Sequence, residues 1–216
     1  MSNTSSLSTP DFFLQLYSQL TNSAGCLASL LLRLYLAPIF WMAGMSKFNS
    51  FDATVEWFGN SEWGLGLPFP WLMAFLATTT ELAGAVLLAI GLFSRLISIP
   101  LIITMLIAIV SVHWENGWQA IADINAPFAN ERVMATPEKL ERARAILQEQ
   151  GNYEWLTANG KFVILNNGIE FATTYLIMLL ALMGLGAGKY HSLDYWLARR
   201  FHQNKVMPLT SPAAGC

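Results

Sequence analysis

Hydrophobic and polar positions divide the chain into four long apolar stretches separated by polar segments. The apolar stretches cover residues 24–46, 70–93, 95–112 and 168–187. A helix needs about 20 predominantly apolar residues to cross a bilayer, and each stretch comes near that length. The pattern therefore predicts an all-α fold: a four-transmembrane-helix bundle with a long polar insertion between helices three and four.

The polar segments give the predicted boundaries of this organisation. The parts are an N-terminal tail with an interfacial helix at residues 11–20 (1–22), transmembrane helices 1–3 (23–113), an extramembrane insertion (114–167), transmembrane helix 4 (168–188) and a cytoplasmic tail (189–216). Within the insertion, Thr136–Gln150 has the pattern of a helix, with Thr136 as its N-cap and Gly151 just past its end. A second interfacial helix is predicted in the C-terminal tail.

Composition supports a membrane location. Hydrophobic residues make up 54% of the 216 residues and charged residues 12%, against roughly 25% charged residues in an average soluble domain. The expected partner is the lipid bilayer, and the net charge of −2 does not favour a nucleic-acid partner. The two cysteines, Cys26 and Cys216, form neither a disulfide framework nor a thiol-redox motif, and Cys26 is expected to be a packing residue.

The distribution of basic residues predicts the orientation of the helices. Arg95 and the basic residues of the C-terminal tail fall on the side that also holds the N-terminus. The opposite side has Lys47 and an insertion that contains more acids than bases. Because basic residues accumulate on the cytoplasmic side, both termini are predicted to be cytoplasmic and the insertion to lie outside.

One acid, Glu81, lies near the middle of the second apolar stretch, where an uncompensated charge is costly. Arg33, near the centre of the first stretch, is the basic residue at the matching depth, and we expect the two side chains to pair. Two interpretations remain open. The pair either fixes the packing of helix one on helix two, or it forms a proton or ligand site.

A second group of polar residues is predicted at the outer ends of the helices. It comprises Lys47, His113 and Glu170, together with Asn166 or Asn167. These residues either anchor the helices in the interface or converge on a shared pocket. No cysteine or histidine cluster has the spacing of a zinc, copper or haem site, and no metal is predicted.

Several motifs in this order resemble the DoxX family of bacterial inner-membrane proteins. They are R-L in helix one, G-M-S-K-F at its end, E-L-A-G-A-V-L-L-A-I-G-L-F-S-R in helix two, and K-Y-H-S-L-D in the tail. The resemblance covers all four predicted spans. It implies a multi-pass protein of the bacterial inner (plasma) membrane, similar to subunits tied to quinone-linked sulfur oxidation. Arg33, Lys47 and Glu81 are the candidate site residues that match the general family pattern.

A narrower resemblance is to HvfX-type members of that family. It rests on L-R-L-Y-L-A-P-I-F-W-M-A-G, T-V-E-W-F-G-N, H-W-E-N-G-W-Q-A-I-A-D-I-N-A-P-F-A-N-E-R and L-N-N-G-I-E-F. Such proteins are linked to the maturation of copper-binding, ribosomally made peptides. His113 and Glu170 are the candidate site residues that match this narrower pattern.

Together these observations suggest an accessory protein in the maturation of a copper-binding modified peptide, which passes electrons to quinone as part of an oxidoreductase. Arg33, Lys47, Glu81, His113 and Glu170 are the candidates for catalysis and for binding the quinone, with no role assigned to any one of them. A peptide-modifying enzyme is the expected partner. The alternative is a non-enzymatic membrane scaffold or export partner for the modifying machinery.

Overall fold

The structure, a computed structural model, describes the backbone of residues 9–203, and the side chains of that range except 9–12, 15–16 and 202–203. Nine α-helices lie in this range: α1 (Thr9–Asn49), α2 (Phe51–Gly59), α3 (Pro70–Ile90), α4 (Ser94–Ile107), α5 (Glu131–Met134), α6 (Thr136–Gln150), α7 (Tyr153–Thr157), α8 (Glu170–Leu185) and α9 (Leu193–Gln203). A π-helical turn (Ala108–His113) and a 3-10 turn (Trp114–Asn116) follow α4. The described residues contain no strand, only an isolated bridge between Ile121 and Leu165.

The chain divides into two compact units. Among the described residues, the first comprises 9–103 and 177–203, and the second comprises 104–176. The all-helical part of the prediction is confirmed for the described residues. The interfacial helix predicted at residues 11–20 does not form a separate element, because α1 runs without a break from Thr9 to Asn49. The predicted C-terminal interfacial helix falls on α9, whereas residues 1–8 and 204–216 lie outside the described residues.

In the first unit, α3 packs mainly on α1. The buried residues of α3 follow a spacing of three and four, which places them on one face: Ala74, Thr78, Glu81, Ala85 and Leu88. On α1 the buried residues Ser29, Arg33, Leu36 and Phe40 keep the same spacing. A Cβ atom at Gly44 would collide with the side chain of Leu82, so the absence of a side chain at Gly44 allows α1 and α3 to approach closely.

Three segments are long and apolar enough to cross a membrane: Tyr17–Asn49, Pro70–Ile90 and Ser94–Asn116. The fourth predicted span corresponds to α8, which is apolar but has 16 residues. The four-helix bundle therefore stays a prediction, and three spans are supported. Large apolar side chains along α1 and α4 are exposed, as expected for surfaces that contact lipid: Leu27, Leu31, Leu34, Leu96, Ile99 and Ile103.

The second unit holds the short helices α5, α6 and α7. The predicted helix at Thr136–Gln150 is confirmed with both boundaries as α6, and Gly151 follows its last residue. Thr136, however, is not the N-cap. Ala135 holds that position, and the Thr136 hydroxyl donates instead to the Val133 carbonyl at 2.6 Å. Helix α5 ends at Met134, so only Ala135 separates it from α6. Thr136 is already part of the helix, whereas an N-cap residue has a non-helical backbone conformation.

Cys26 is buried in α1 and is disulfide-bonded, which corrects its interpretation as a plain packing residue. The other cysteine of the chain, Cys216, lies outside the described residues.

Candidate functional site

The candidate site is an ion pair between the last turn of α1 and the middle of α3. Lys47 Nζ donates to both carboxylate oxygens of Glu81, at 2.8 Å to Oε1 and 2.7 Å to Oε2. The Glu81 side chain is 3% exposed and the Lys47 side chain 25% exposed. A buried carboxylate is thus held by a lysine that reaches toward the protein surface, inside a segment long enough to span the membrane.

This contact shows that the predicted pairing of Arg33 with Glu81 is wrong. The helices α1 and α3 run in opposite directions, and Gly44 faces Leu82. At that register the residue of α1 closest to the level of Glu81 is Lys47, whereas Arg33 lies three to four turns farther along α1, at the end of α3. The depth of Arg33 was misjudged because it was estimated from the ends of the apolar stretch at residues 24–46. Helix α1 extends beyond that stretch at both ends.

Arg33 is fully buried and holds together three segments of the first unit. Its Nη1 donates to the carbonyls of Leu88 and His191, each at 3.2 Å, and its Nη2 donates to the Tyr190 carbonyl at 2.7 Å. Leu88 belongs to the last turn of α3, where carbonyls lack partners within the helix and where a positive charge is favourable. Arg33 Nε is buried without a hydrogen-bond partner. Arg33 is therefore a structural residue in this arrangement.

The Lys47–Glu81 pair has the chemical groups of a proton-handling or carbonyl-binding site. A lysine ammonium has three N–H donors, and Glu81 takes two of them. The third is available to a carbonyl oxygen of a ligand that approaches the exposed part of Lys47. One turn before Glu81, the Thr78 hydroxyl donates to the Ala74 carbonyl at 2.7 Å and so does not compete for the carboxylate.

His113 and Glu170, the other two candidates, both lie in the second unit. His113 Nδ1 is 2.9 Å from the Asn167 carbonyl oxygen. Glu170 lies at the first position of α8, where its Oε2 accepts from the backbone N–H of Ala120 at 2.8 Å. Both side chains therefore contact the polypeptide that surrounds the start of α8, and each has a hydrogen-bonding role in the structure.

Asn166 is the centre of this polar region, and sequence reasoning named it only as a secondary member. Its side chain is 1% exposed. Its Nδ2 donates to the carbonyls of Asn116 and Gln119, both at 2.8 Å, and its Oδ1 accepts from Arg132 Nε at 3.2 Å. Gln119 and Arg132 were not named as candidates. The available signal was the motif at residues 113–132, which carries the narrower resemblance and contains both residues.

The predicted convergence of Lys47 with His113 and Glu170 stays a prediction, because Lys47 belongs to the first unit and the other two residues belong to the second. Residues 9–203 contain no group of three or more histidine, cysteine, aspartate or glutamate side chains that could hold a metal ion.

Comparison with known proteins gives the family. The family model described as DoxX matches residues 28–114, the segment that contains Arg33, Lys47, Glu81 and His113. "Putative oxidoreductase CatD" of Bacillus subtilis (strain 168) is 35% identical over 99 residues, which cover 46% of this chain and 69% of the relative. "Inner membrane protein YphA" of Escherichia coli (strain K12) is 30% identical over 99 residues, 45% of this chain and 66% of the relative. No solved structure matches the chain. The chain belongs to the DoxX family.

Proposed function

We propose that the chain is an accessory subunit of a quinone-linked oxidoreductase in the bacterial inner membrane. The observation that carries this proposal is the Lys47–Glu81 pair, because ionisable groups inside a membrane span are costly and usually serve a function. The names of the two relatives, one an oxidoreductase and one an inner membrane protein, agree with it.

In this proposal the two residues have separate roles. The third N–H of Lys47 donates to a carbonyl oxygen of the quinone, and Glu81 receives and releases the protons that accompany quinone reduction. The quinone, when bound, supplies the electron-accepting chemistry. The electrons come from the partner enzyme that oxidises the substrate. Lys47 also holds the carboxylate in place, since its other two donors bind both oxygens.

For the substrate we propose a copper-binding, ribosomally made peptide that a partner enzyme modifies. The support is the HvfX-type sequence pattern around His113 and in residues 165–171. In the structure these two stretches form the polar region built on Asn166. We further propose that this region contacts the peptide-modifying enzyme.

A non-enzymatic scaffold is the second candidate, and one observation favours it. The second unit exposes large apolar side chains, among them Phe128 and Trp155, both 72% exposed, and Leu165, 66% exposed. If this unit lies outside the membrane, such a surface is typical of a site that binds another protein. A partner that co-purifies with the chain in the absence of any redox-active ligand would favour this function.

The test of the first proposal is the quinone content of the protein. After purification in mild detergent and extraction with organic solvent, chromatography should detect quinone in the wild type and about tenfold less in Lys47→Gln, because a hydrogen bond to a charged group is lost. Lys161→Gln, which removes an exposed lysine of the second unit, is the control and should keep its quinone. Equal content in wild type and Lys47→Gln would contradict the proposal.

The orientation of the chain, with both termini cytoplasmic, is tested by cysteine labelling. In a background with Cys26 and Cys216 changed to serine, Glu149→Cys in α6 should react with a membrane-impermeant thiol reagent in intact spheroplasts. Arg200→Cys in α9 should react only after lysis. Both positions are exposed, so burial does not explain a difference. The reverse labelling pattern would show that the orientation is the opposite of the one proposed.

A further inference from the structure

An open cavity, separate from the Lys47–Glu81 pair, lies at the other end of α3. It has a volume of about 890 Å³ and is lined by α1 near Cys26, the turn between α3 and α4, the loop between α8 and α9, and one face of α9. All of its lining residues belong to the first unit. A cavity of this size is large enough for a small polar ligand.

The cavity carries a net positive charge. Among the residues that the structure describes, Arg95, Lys189 and Arg199 line it, against a single acid, Asp194. The Asp194 carboxylate is already engaged, since it accepts from the backbone N–H groups of Phe93 at 2.8 Å and Ser94 at 3.3 Å. Arg95 in turn donates to the carbonyls at the end of α8.

Lys189 and Arg199 are the two cationic groups left for a ligand. Lys189 Nζ lies 5.3 Å from the centre of the Tyr190 ring, and this contact leaves its N–H donors available. Arg199 is exposed on the face of α9 that lines the cavity. Neither residue forms a salt bridge with a carboxylate of residues 9–203. Because like charges repel, two unpaired cations beside one cavity favour an anionic ligand.

The opposite face of α9 is suited to the membrane interface. That face carries large apolar side chains that the described residues leave uncovered: Leu193, Trp196, Leu197 and Phe201. An amphipathic helix favours the membrane interface, with its apolar face toward the acyl chains. Arg200 lies beside this apolar face, where its long side chain can reach the headgroups. The cavity is also next to the turn between two candidate spans, which end at Ile90 and begin at Ser94.

We propose that this cavity binds the phosphate of an anionic phospholipid headgroup, through Lys189 and Arg199. The apolar part of the cavity, formed by Phe93 and Leu96, accommodates the upper part of the acyl chains. The lipid then ties α9 to the turn between α3 and α4. A phospholipid headgroup and free inorganic phosphate both present a phosphate anion, so the experiment must distinguish the two ligands.

The experiment is a lipid titration of the full-length protein, purified in a neutral detergent and followed by native mass spectrometry. Phosphatidylglycerol should bind the wild type at about tenfold lower concentration than it binds the double variant Lys189→Gln/Arg199→Gln. The control, Lys161→Gln/Arg200→Gln, removes two positive charges outside the cavity and should bind like the wild type. Phosphatidylcholine should bind less well than phosphatidylglycerol, and excess inorganic phosphate should displace little of the bound lipid.

Three results would overturn the proposal. An equal loss in the control double variant would show a general charge effect. Equal binding of phosphatidylcholine would show that net negative charge is not recognised. Displacement by inorganic phosphate alone would make free phosphate the ligand. Elution of each variant as a single species in size-exclusion chromatography shows that a loss of binding does not come from misfolding.

Discussion

Replacing Lys47 by leucine should lower the free energy of unfolding by about 3–5 kcal/mol, and adding Glu81→Leu should restore most of it. The single change leaves a carboxylate that is 3% exposed without its partner. The double change replaces a buried ion pair by apolar groups, which is often neutral or stabilising. Thermal unfolding in detergent, followed by size-exclusion chromatography, measures Lys47→Leu, Glu81→Leu and the double variant against the wild type.

The two single variants should also differ from each other. Glu81→Leu should cost less than Lys47→Leu, because Lys47 is partly exposed and its long side chain can turn toward the interface. The matched control is Arg33→Leu/Glu81→Leu, which should remain unstable because Arg33 has no contact with Glu81 to compensate. If this variant were instead as stable as the wild type, the result would support the pairing of Arg33 with Glu81 that the sequence predicted.

Replacing Arg33 by leucine should destabilise the protein by at least about 3 kcal/mol. Three charge-assisted hydrogen bonds would be lost, and the carbonyls of Leu88, Tyr190 and His191 would lose a buried donor. Arg142→Leu, in the exposed part of α6, is the control and should change stability little. The same thermal unfolding measurement applies, and a near-wild-type melting temperature for Arg33→Leu would contradict the structural role.

Gly91 offers a second test of the Arg33 contacts. It is the C-cap of α3 with φ of 66°, a conformation that is strained for alanine, and a Cβ atom there would collide with both the Arg33 guanidinium and the Ser192 backbone. Gly91→Ala should therefore destabilise the protein in the same direction as Arg33→Leu. Gly184→Ala adds a Cβ atom in open space and should have little effect. A Gly91→Ala protein as stable as Gly184→Ala would show that the guanidinium does not lie against Gly91.

The part of the fold that sequence predicts is the part set by local hydrophobicity. The apolar runs predicted α3 and α4, and the span of α6 was predicted correctly although its N-cap was not. The length of α1 was missed because polar residues such as Asn22 and Ser23 interrupt the apolar pattern without breaking the helix. A helix can continue through polar residues where they face water, so hydrophobicity alone does not mark its ends.

The candidate site was predicted in its residues but not in its pairing. Glu81 was singled out as a costly charge inside a span, and Lys47 as a member of the polar group at the outer ends of the helices. Which cation meets Glu81 depends on the register of two antiparallel helices, and that register depends on the close approach at Gly44. The amide network of Asn166 and Gln119 depends on contacts across about 50 residues of sequence. Neither relation leaves a periodic signal in the chain.

The most direct test of the central claim, that Lys47 and Glu81 form a quinone site, is quinone binding by the folded double variant Lys47→Leu/Glu81→Leu. Its stability should approach that of the wild type, so loss of binding would not come from unfolding. Binding of a short-chain quinone to purified protein, measured by the quenching of tryptophan fluorescence, should be lost in this variant and kept in the wild type. A double variant that folds and binds the quinone as tightly as the wild type would show that the pair serves only packing.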